Sequence, residues 1–154
     1  LEHAAWSPGL REVRVIDLFA GSGALGFEAL SRGAAFCIFV ETDEAARGAI
    51  RENVEAMSLF GATRVHRRDA TDLGVRPGGD GPPFELAFLD PPYAKGLGEA
   101  ALEKLAAGTW LAPGAIVVFE RGAAEPDVSA PGYEVLDVRN YGAARVHFLR
   151  FGAA

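Results

Sequence analysis

Asp17-Leu18-Phe19-Ala20-Gly21-Ser22-Gly23-Ala24-Leu25-Gly26 is the stretch that decides how this chain is read. It continues an apolar run that begins at Val13, interrupted by Arg14 and Asp17, and it leads into Phe27-Glu28-Ala29-Leu30, whose apolar positions recur at helical spacing. Gly21, Gly23 and Gly26 therefore form GxGxxG in its proper setting, after a strand and into a helix. Gly33 stops that helix, and Ala35 to Val40 is a second strand with almost no polar residue, as a strand buried on both faces must be.

The same alternation continues outward. Asp43 is placed to cap a helix in which Ala46, Ile50, Val54 and Met57 recur at spacings of four, four and three. Arg64 to Arg68 reads as a short third strand, followed by a turn-rich and mobile stretch from Gly74 to Pro83. Phe84 to Leu89 is a fourth strand ending at Asp90. Leu97, Ala101, Leu102 and Leu105 outline another helix, ended by Gly108, and Ala115 to Phe119 is a fifth strand. Tyr133 to Val138 and Arg145 to Phe151 read as a terminal hairpin about the turn Asn140-Tyr141-Gly142. Strands alternating with helices predict an α/β fold, a mainly parallel seven-stranded sheet with helices on both faces and a C-terminal antiparallel hairpin.

Composition narrows the rest. A chain of 154 residues, 49% hydrophobic and 23% charged, fits one globular domain over 1–154, and no apolar run is long enough to span a bilayer. Fifteen basic against 21 acidic residues give a net charge of -6, so any nucleic-acid contact must come from a local patch. The single thiol, Cys37, lies in an apolar run and can form no internal disulfide, which points to a reduced, cytoplasmic setting. Without an initiator Met, and with residues 1–6 reading as the last turn of a helix, the chain is expected to be N-terminally truncated. Nothing suggests more than a monomer. His3, His66 and His147 lack ligand spacing, so no metal is expected. Trp6 and Trp110 are read as packing residues.

Four features fall at the carboxyl ends of the strands, where doubly wound sheets bind ligands. The glycine turn, Gly21 with Ser22 and Gly23, brings backbone close to a ligand at a helix N-terminus. Glu41, twenty positions after Gly21, can accept both hydrogen bonds of a ribose diol. Asp17 repels phosphates and attracts an ammonium or sulfonium, which favours S-adenosylmethionine over a nicotinamide dinucleotide. Asp69, after the basic strand, is placed to receive an adenine amino group.

The fourth feature, Asp90-Pro91-Pro92-Tyr93, is the most specific. Neither proline has an N–H, so the turn presents acceptors: the Asp90 carboxylate and the carbonyls of Pro91 and Pro92. It suits an amino group conjugated to a π-system. Hydrogen bonds from both N–H groups favour a pyramidal nitrogen with its lone pair aimed at a methyl donor. Tyr93 supplies a face for stacking. The turn serves guanine N2, adenine N6 in DNA, or a protein glutamine amide at N5 equally well. A non-catalytic domain binding an adenosine ligand has no use for such a turn, and Asp17 and the prolines count against a nicotinamide oxidoreductase.

The phrases Asp17 to Gly26, Phe39-Val40-Glu41, Asp69-Ala70, Phe88-Leu89-Asp90-Pro91-Pro92-Tyr93 and the tail Arg139-Asn140-Tyr141-Gly142 together resemble the bacterial 16S rRNA guanine-N2 methyltransferases, from about Val15 to Leu149. The resemblance implies a Rossmann-like class I methyltransferase that uses S-adenosylmethionine and no metal to modify one guanine of the small ribosomal subunit. Its cofactor set on this chain is Asp17, Phe19, Gly21, Ser22, Gly23, Glu41, Asp69, Ala70 and Asp90, and its catalytic turn is Asp90 to Tyr93. This chain lacks the basic segment that precedes the first strand in that family. Candidates for contact with 16S rRNA are Tyr93, Lys95, Arg67 and Arg139, with Arg64, Arg68 and Arg145 as further local cations.

Overall fold

The computed structural model describes residues 9–92 and 96–152. Seven strands and three helices follow in the order β1 (Arg14–Leu18), α1 (Ala24–Ser31), β2 (Phe36–Val40), α2 (Glu44–Ala56), β3 (Thr63–His66), β4 (Phe84–Leu89), α3 (Leu97–Ala107), β5 (Leu111–Gly122), β6 (Tyr133–Tyr141) and β7 (Ala144–Phe151). They make one sheet in the order β3-β2-β1-β4-β5-β7-β6, parallel from β3 to β5, with β7 antiparallel to both of its neighbours. The chain steps outward from β1 to β3 and returns on the other side of β1 as β4. Beyond the carboxyl ends of β1 and β4 lies the crevice that such a reversal opens.

Period-two alternation builds both cores. Val15, Cys37, Phe39, Leu86, Phe88 and Ile116 face α1 and α2, meeting Phe27, Ile50 and Val54. Ile16, Leu18, Val40, Ala87, Leu89 and Phe119 face the other way, where Ala101, Leu102 and Leu105 of α3 cover them. Helices on both sides leave neither face of these strands wet, which is why the strands read as nearly unbroken apolar runs. Cys37 is fully buried.

The caps explain where helices start. Asp43 accepts from the Ala46 N–H at 2.8 Å and so caps α2. α1 has no side-chain cap from Gly23. Its third residue, Gly26, donates instead to Asp17 on β1 at 3.2 Å.

Some boundaries differ from the sequence reading. β5 begins at Leu111 and runs to Gly122, because pairing with β7 continues through Gly122–Ala144. Asn140 and Tyr141 are not in the hairpin turn: they pair with Arg145 and Ala144, leaving Gly142-Ala143 as the loop. β3 ends at His66, two residues early, as the chain leaves the sheet for the loop that carries Asp69. The turn-rich stretch before β4 is tied down. Arg76 donates to the carbonyls of Thr109 (2.9 Å) and Gly81, and Arg14 donates to those of Pro82 (3.2 Å) and Asp80. Trp110 donates to the Gly74 carbonyl at 2.9 Å, and its ring is buried, in keeping with a packing role. Trp6 and His3 lie outside the described residues. No helix among the described residues is long and apolar enough to cross a membrane.

Candidate active site

One register row sets out the site. The ladder pairs His66 with Val40, Val40 with Leu18, Leu18 with Leu89, and Leu89 with Phe119. One residue further along these parallel strands stand Arg67, Glu41, Phe19, Asp90 and Glu120. Across the antiparallel hairpin the row continues, because Glu120 pairs with Val146 and Val146 with Arg139. Residues scattered over more than seventy positions are thereby level at one edge of the sheet.

Over this row lies a cavity of about 660 Å³. Phe19, Glu41, Asp69, Ala70, Asp90, Pro91 and Pro92 line it, all marked from the sequence. Thr42, Thr71, Leu97, Arg68 and Glu120 join them, and of these only Arg68 was marked, as a local cation. Glu120 carries no motif. Its signal is the one that marks Glu41 and Asp90, an acid directly after an apolar strand, here Ile116 to Phe119.

Phe19 has φ +55°, a left-handed conformation that costs a residue with a Cβ about 1–2 kcal/mol. It bends the chain away from β1 while the next residue, Ala20, still donates to the Val40 carbonyl at 3.1 Å. Glu41 is then locked from two sides: Gly21 donates to Oε1 at 2.8 Å and Asp43 donates to Oε2 at 2.9 Å. Each carboxylate oxygen keeps a further acceptor site, so the group can also receive a diol from the cavity. Asp69 accepts from the Thr71 N–H (2.8 Å) and hydroxyl (2.6 Å), and these two bonds hold its carboxyl below the usual range. Ala70 is buried behind it.

The glycines divide by role. Nothing lies within 4 Å of where a Cβ on Gly21 would stand, so room is kept beside the turn, and its φ of +59° suits glycine. Gly23 belongs to packing instead: a Cβ there would meet Phe27 at 2.9 Å and Phe39 at 3.0 Å. Gly21, Ser22 and Gly23 do not line the cavity; Ser22 is exposed, and the turn reaches the site through the bond from Gly21 to Glu41.

Asp17 corrects the sequence reading. It lies inside the ladder, between Phe39 and Phe88, is 2% exposed, and does not line the cavity. Burial pushes its carboxyl well above the usual range, with the Gly26 N–H pulling the other way and Asp90 and Glu41 adding to the rise. A carboxyl held there supports the start of α1 and does not face a cationic ligand.

Arg67 is exposed at the β3 end of the row, outside the cavity lining. Arg139 stands two strands beyond Glu120, with its Nε 3.0 Å from Asp137 and its guanidinium 5.4 Å from the Phe148 ring centre. Arg145 pairs with Asp127 at 2.9 Å and Arg64 with Asp80 at 3.5 Å, so both are engaged within the protein. Tyr93 and Lys95 lie outside the described residues. Among the described residues no group of three or more His, Cys, Asp or Glu side chains is arranged to hold a metal ion.

This strand order, with a glycine turn after the first strand and an acid after the second, is the Rossmann-like fold of the S-adenosylmethionine-dependent methyltransferases. A family model described as conserved hypothetical protein 95 matches residues 3–150, and the chain belongs to that family. It is similar to the ribosomal RNA small subunit methyltransferase D of Haemophilus influenzae, 31% identical over 88% of this chain and 70% of the relative. The protein of that name in Escherichia coli K12 is 34% identical over 74% of this chain and 56% of the relative. The chain thus spans 56% to 70% of the length of these curated relatives. The crystal structure of a Haemophilus influenzae methylase aligns with a TM-score of 0.82 at 29% identity, covering 94% of this chain and 89% of that one. A methyltransferase from Mesorhizobium loti, at 14% identity and a TM-score of 0.70 over 95% and 94% of the two chains, shares the fold alone.

Proposed function

We propose that this chain transfers a methyl group from S-adenosylmethionine to the exocyclic N2 of a guanine in 16S rRNA of the small ribosomal subunit, a cytoplasmic reaction. The observation that carries the reading is the placing of an acceptor-only turn, Asp90-Pro91-Pro92, in one cavity with a preset diol acceptor, Glu41. The residues present fit the cofactor: Glu41 for the ribose hydroxyls, Asp69 for the adenine amine, and open room at Gly21. When bound, S-adenosylmethionine supplies an electrophilic methyl on a sulfonium.

The chain's own part is positioning. The Asp90 carboxylate and the Pro91 carbonyl accept the two amino hydrogens, which localises the nitrogen lone pair and stabilises the positive charge that develops there. A guanine turned out of its stack can reach such a pocket, with Tyr93 as the stacking face. Lys95, Arg67 and Arg139 are assigned to the RNA backbone, Arg67 and Arg139 at the two ends of the row. The names of the relatives support rRNA as the acceptor.

The test is transfer of labelled methyl to small subunits lacking their native modification, followed by nucleoside analysis. N2-methylguanosine is the expected product. Label in adenine of DNA or in a glutamine amide of a protein overturns the acceptor assignment while keeping the chemistry.

A further inference from the structure

Glu120, the fifth position of the register row, stands beside the Asp90 turn without belonging to its motif. Leu89 and Phe119 are partners on adjacent parallel strands, so Asp90 and Glu120, each one residue further, follow side by side from the carboxyl end of that pair. Both line the same cavity, and their carboxyl groups come within reach of each other there. Two ionised carboxylates so placed repel, since each is an acceptor only. Glu120 therefore strengthens the hold of Asp90 on a proton.

We propose that Glu120 and Asp90 act as a carboxyl pair that takes up the proton leaving the methylated amine, with Glu120 a positioning residue that works through Asp90. The proposal rests on the methyl-transfer reading above. As the nitrogen–carbon bond forms and the carbon–sulfur bond breaks, positive charge passes from sulfur to nitrogen. The nitrogen then sheds one proton. Asp90, already hydrogen-bonded to that N–H, receives it, and Glu120 shares it until it passes to water.

The surroundings favour this. Partial burial first, and then the charge of Glu120 and the bond to it, push the Asp90 carboxyl up to about 6. A carboxylate at that value binds a proton about a hundredfold more tightly than an ordinary one. Glu41, after β2, lines the same cavity and adds a further acidic group, while Asp17 of β1 lies buried outside it. From the loop after β3 come Asp69 and Arg68, and Arg68 donates to the Leu73 carbonyl at 2.8 Å. Arg121, next to Glu120, is engaged elsewhere, with Glu99 at 2.7 Å and Glu125 at 3.9 Å. Among the described residues, then, acids outnumber cations around the pair.

The sign follows. Below about pH 6 the pair is protonated, Asp90 donates where it should accept, and transfer slows. The experiment compares the full chain with its Glu120→Gln variant, measuring kcat/KM against pH on undermodified small subunits and titrating the carboxyl carbons by NMR. In the variant the acid limb moves below its position near 6 without reaching the ordinary value, because burial remains, and kcat at neutral pH falls about tenfold as the base weakens. The KM for S-adenosylmethionine stays unchanged. An acid limb and kcat that do not move in Glu120→Gln overturn the proposal. The NMR arm needs no activity: the parent's Asp90 carboxyl titrates near 6, and in Glu120→Gln its midpoint falls. An Asp90 midpoint that Glu120→Gln leaves unmoved also overturns it. If the parent transfers no methyl to any subunit but Asp90 shows that fall in Glu120→Gln, the acceptor assignment fails and the pair stands.

Discussion

Glu41 and Asp90 occupy the same row, each directly after a buried apolar strand and each against the same cavity, yet they are prepared in opposite ways. Glu41 is surrounded by donors: the N–H groups of Gly21 and Asp43 hold each oxygen in place, so its charge is stabilised before any ligand arrives. Asp90 is surrounded by acceptors. Two prolines follow it without N–H groups, and the neighbouring strand brings another carboxyl, so its charge is destabilised until something with hydrogens to donate enters. The first arrangement suits binding that persists through a reaction. The second suits a group that changes partners during it.

The most forceful way to break this contrast is Asp90→Ala. Methyl transfer should fall at least about a hundredfold, as when a preorganised stabilising group is removed, while calorimetric affinity for S-adenosylhomocysteine stays within about twofold. Equal loss of both would erase the distinction between the two acids.

Glu41→Ala tests the other half. It removes the acceptor of a ribose diol and leaves Gly21 N–H without its partner. Cofactor affinity should fall about tenfold to a hundredfold, from charged hydrogen bonds worth about 1.5–3 kcal/mol. At saturating cofactor the remaining rate should be close to the parent's; a large loss of kcat there would mean that the turn, and not the diol, depends on Glu41.

Gly26→Ala sharpens the contrast by touching neither acid. A Cβ there would lie 2.4 Å from the Phe39 ring and 2.7 Å from the Cys37 sulfur, and both side chains are fully buried with nowhere to move. Overpacking of this kind costs about 1–3 kcal/mol, so the thermal midpoint should drop several degrees, read by calorimetry. An unchanged midpoint would show that α1 can lift away from β2.

The smallest effect is on stability against pH. Asp90 binds its proton more tightly folded than unfolded, so its contribution to stability is greatest at low pH and is lost as pH rises toward about 6. Asp90→Asn should therefore be more stable than the parent at neutral pH, by less than about 1 kcal/mol given its open side, and the difference should vanish below about pH 4. A stability gain at low pH instead would reverse the assigned direction.

Local chemistry made much of this protein legible in its sequence. Apolar runs that alternate with helical spacing specify strands and helices whatever surrounds them, and GxGxxG and Asp90-Pro91-Pro92 encode backbone shape directly through glycine freedom and missing donors. Glu41 and Asp69 were marked because they follow strands toward the sheet's carboxyl edge, and Ala70 through the family resemblance; all three line the cavity. Only the tertiary structure decided the rest, since register and facing are properties of pairs of strands. Asp17 and Glu41 look alike as acids on a strand; the pleat turns one under α1 and leaves the other at the strand's end. Gly23 looks like a ligand glycine, and the Phe27 and Phe39 rings make it a packing one. Glu120, thirty positions from Asp90, becomes its neighbour only because β4 and β5 pair in the register that sets Leu89 beside Phe119. Arg139 joins the same row from the far side of the hairpin because an antiparallel partner reverses the direction in which positions are counted.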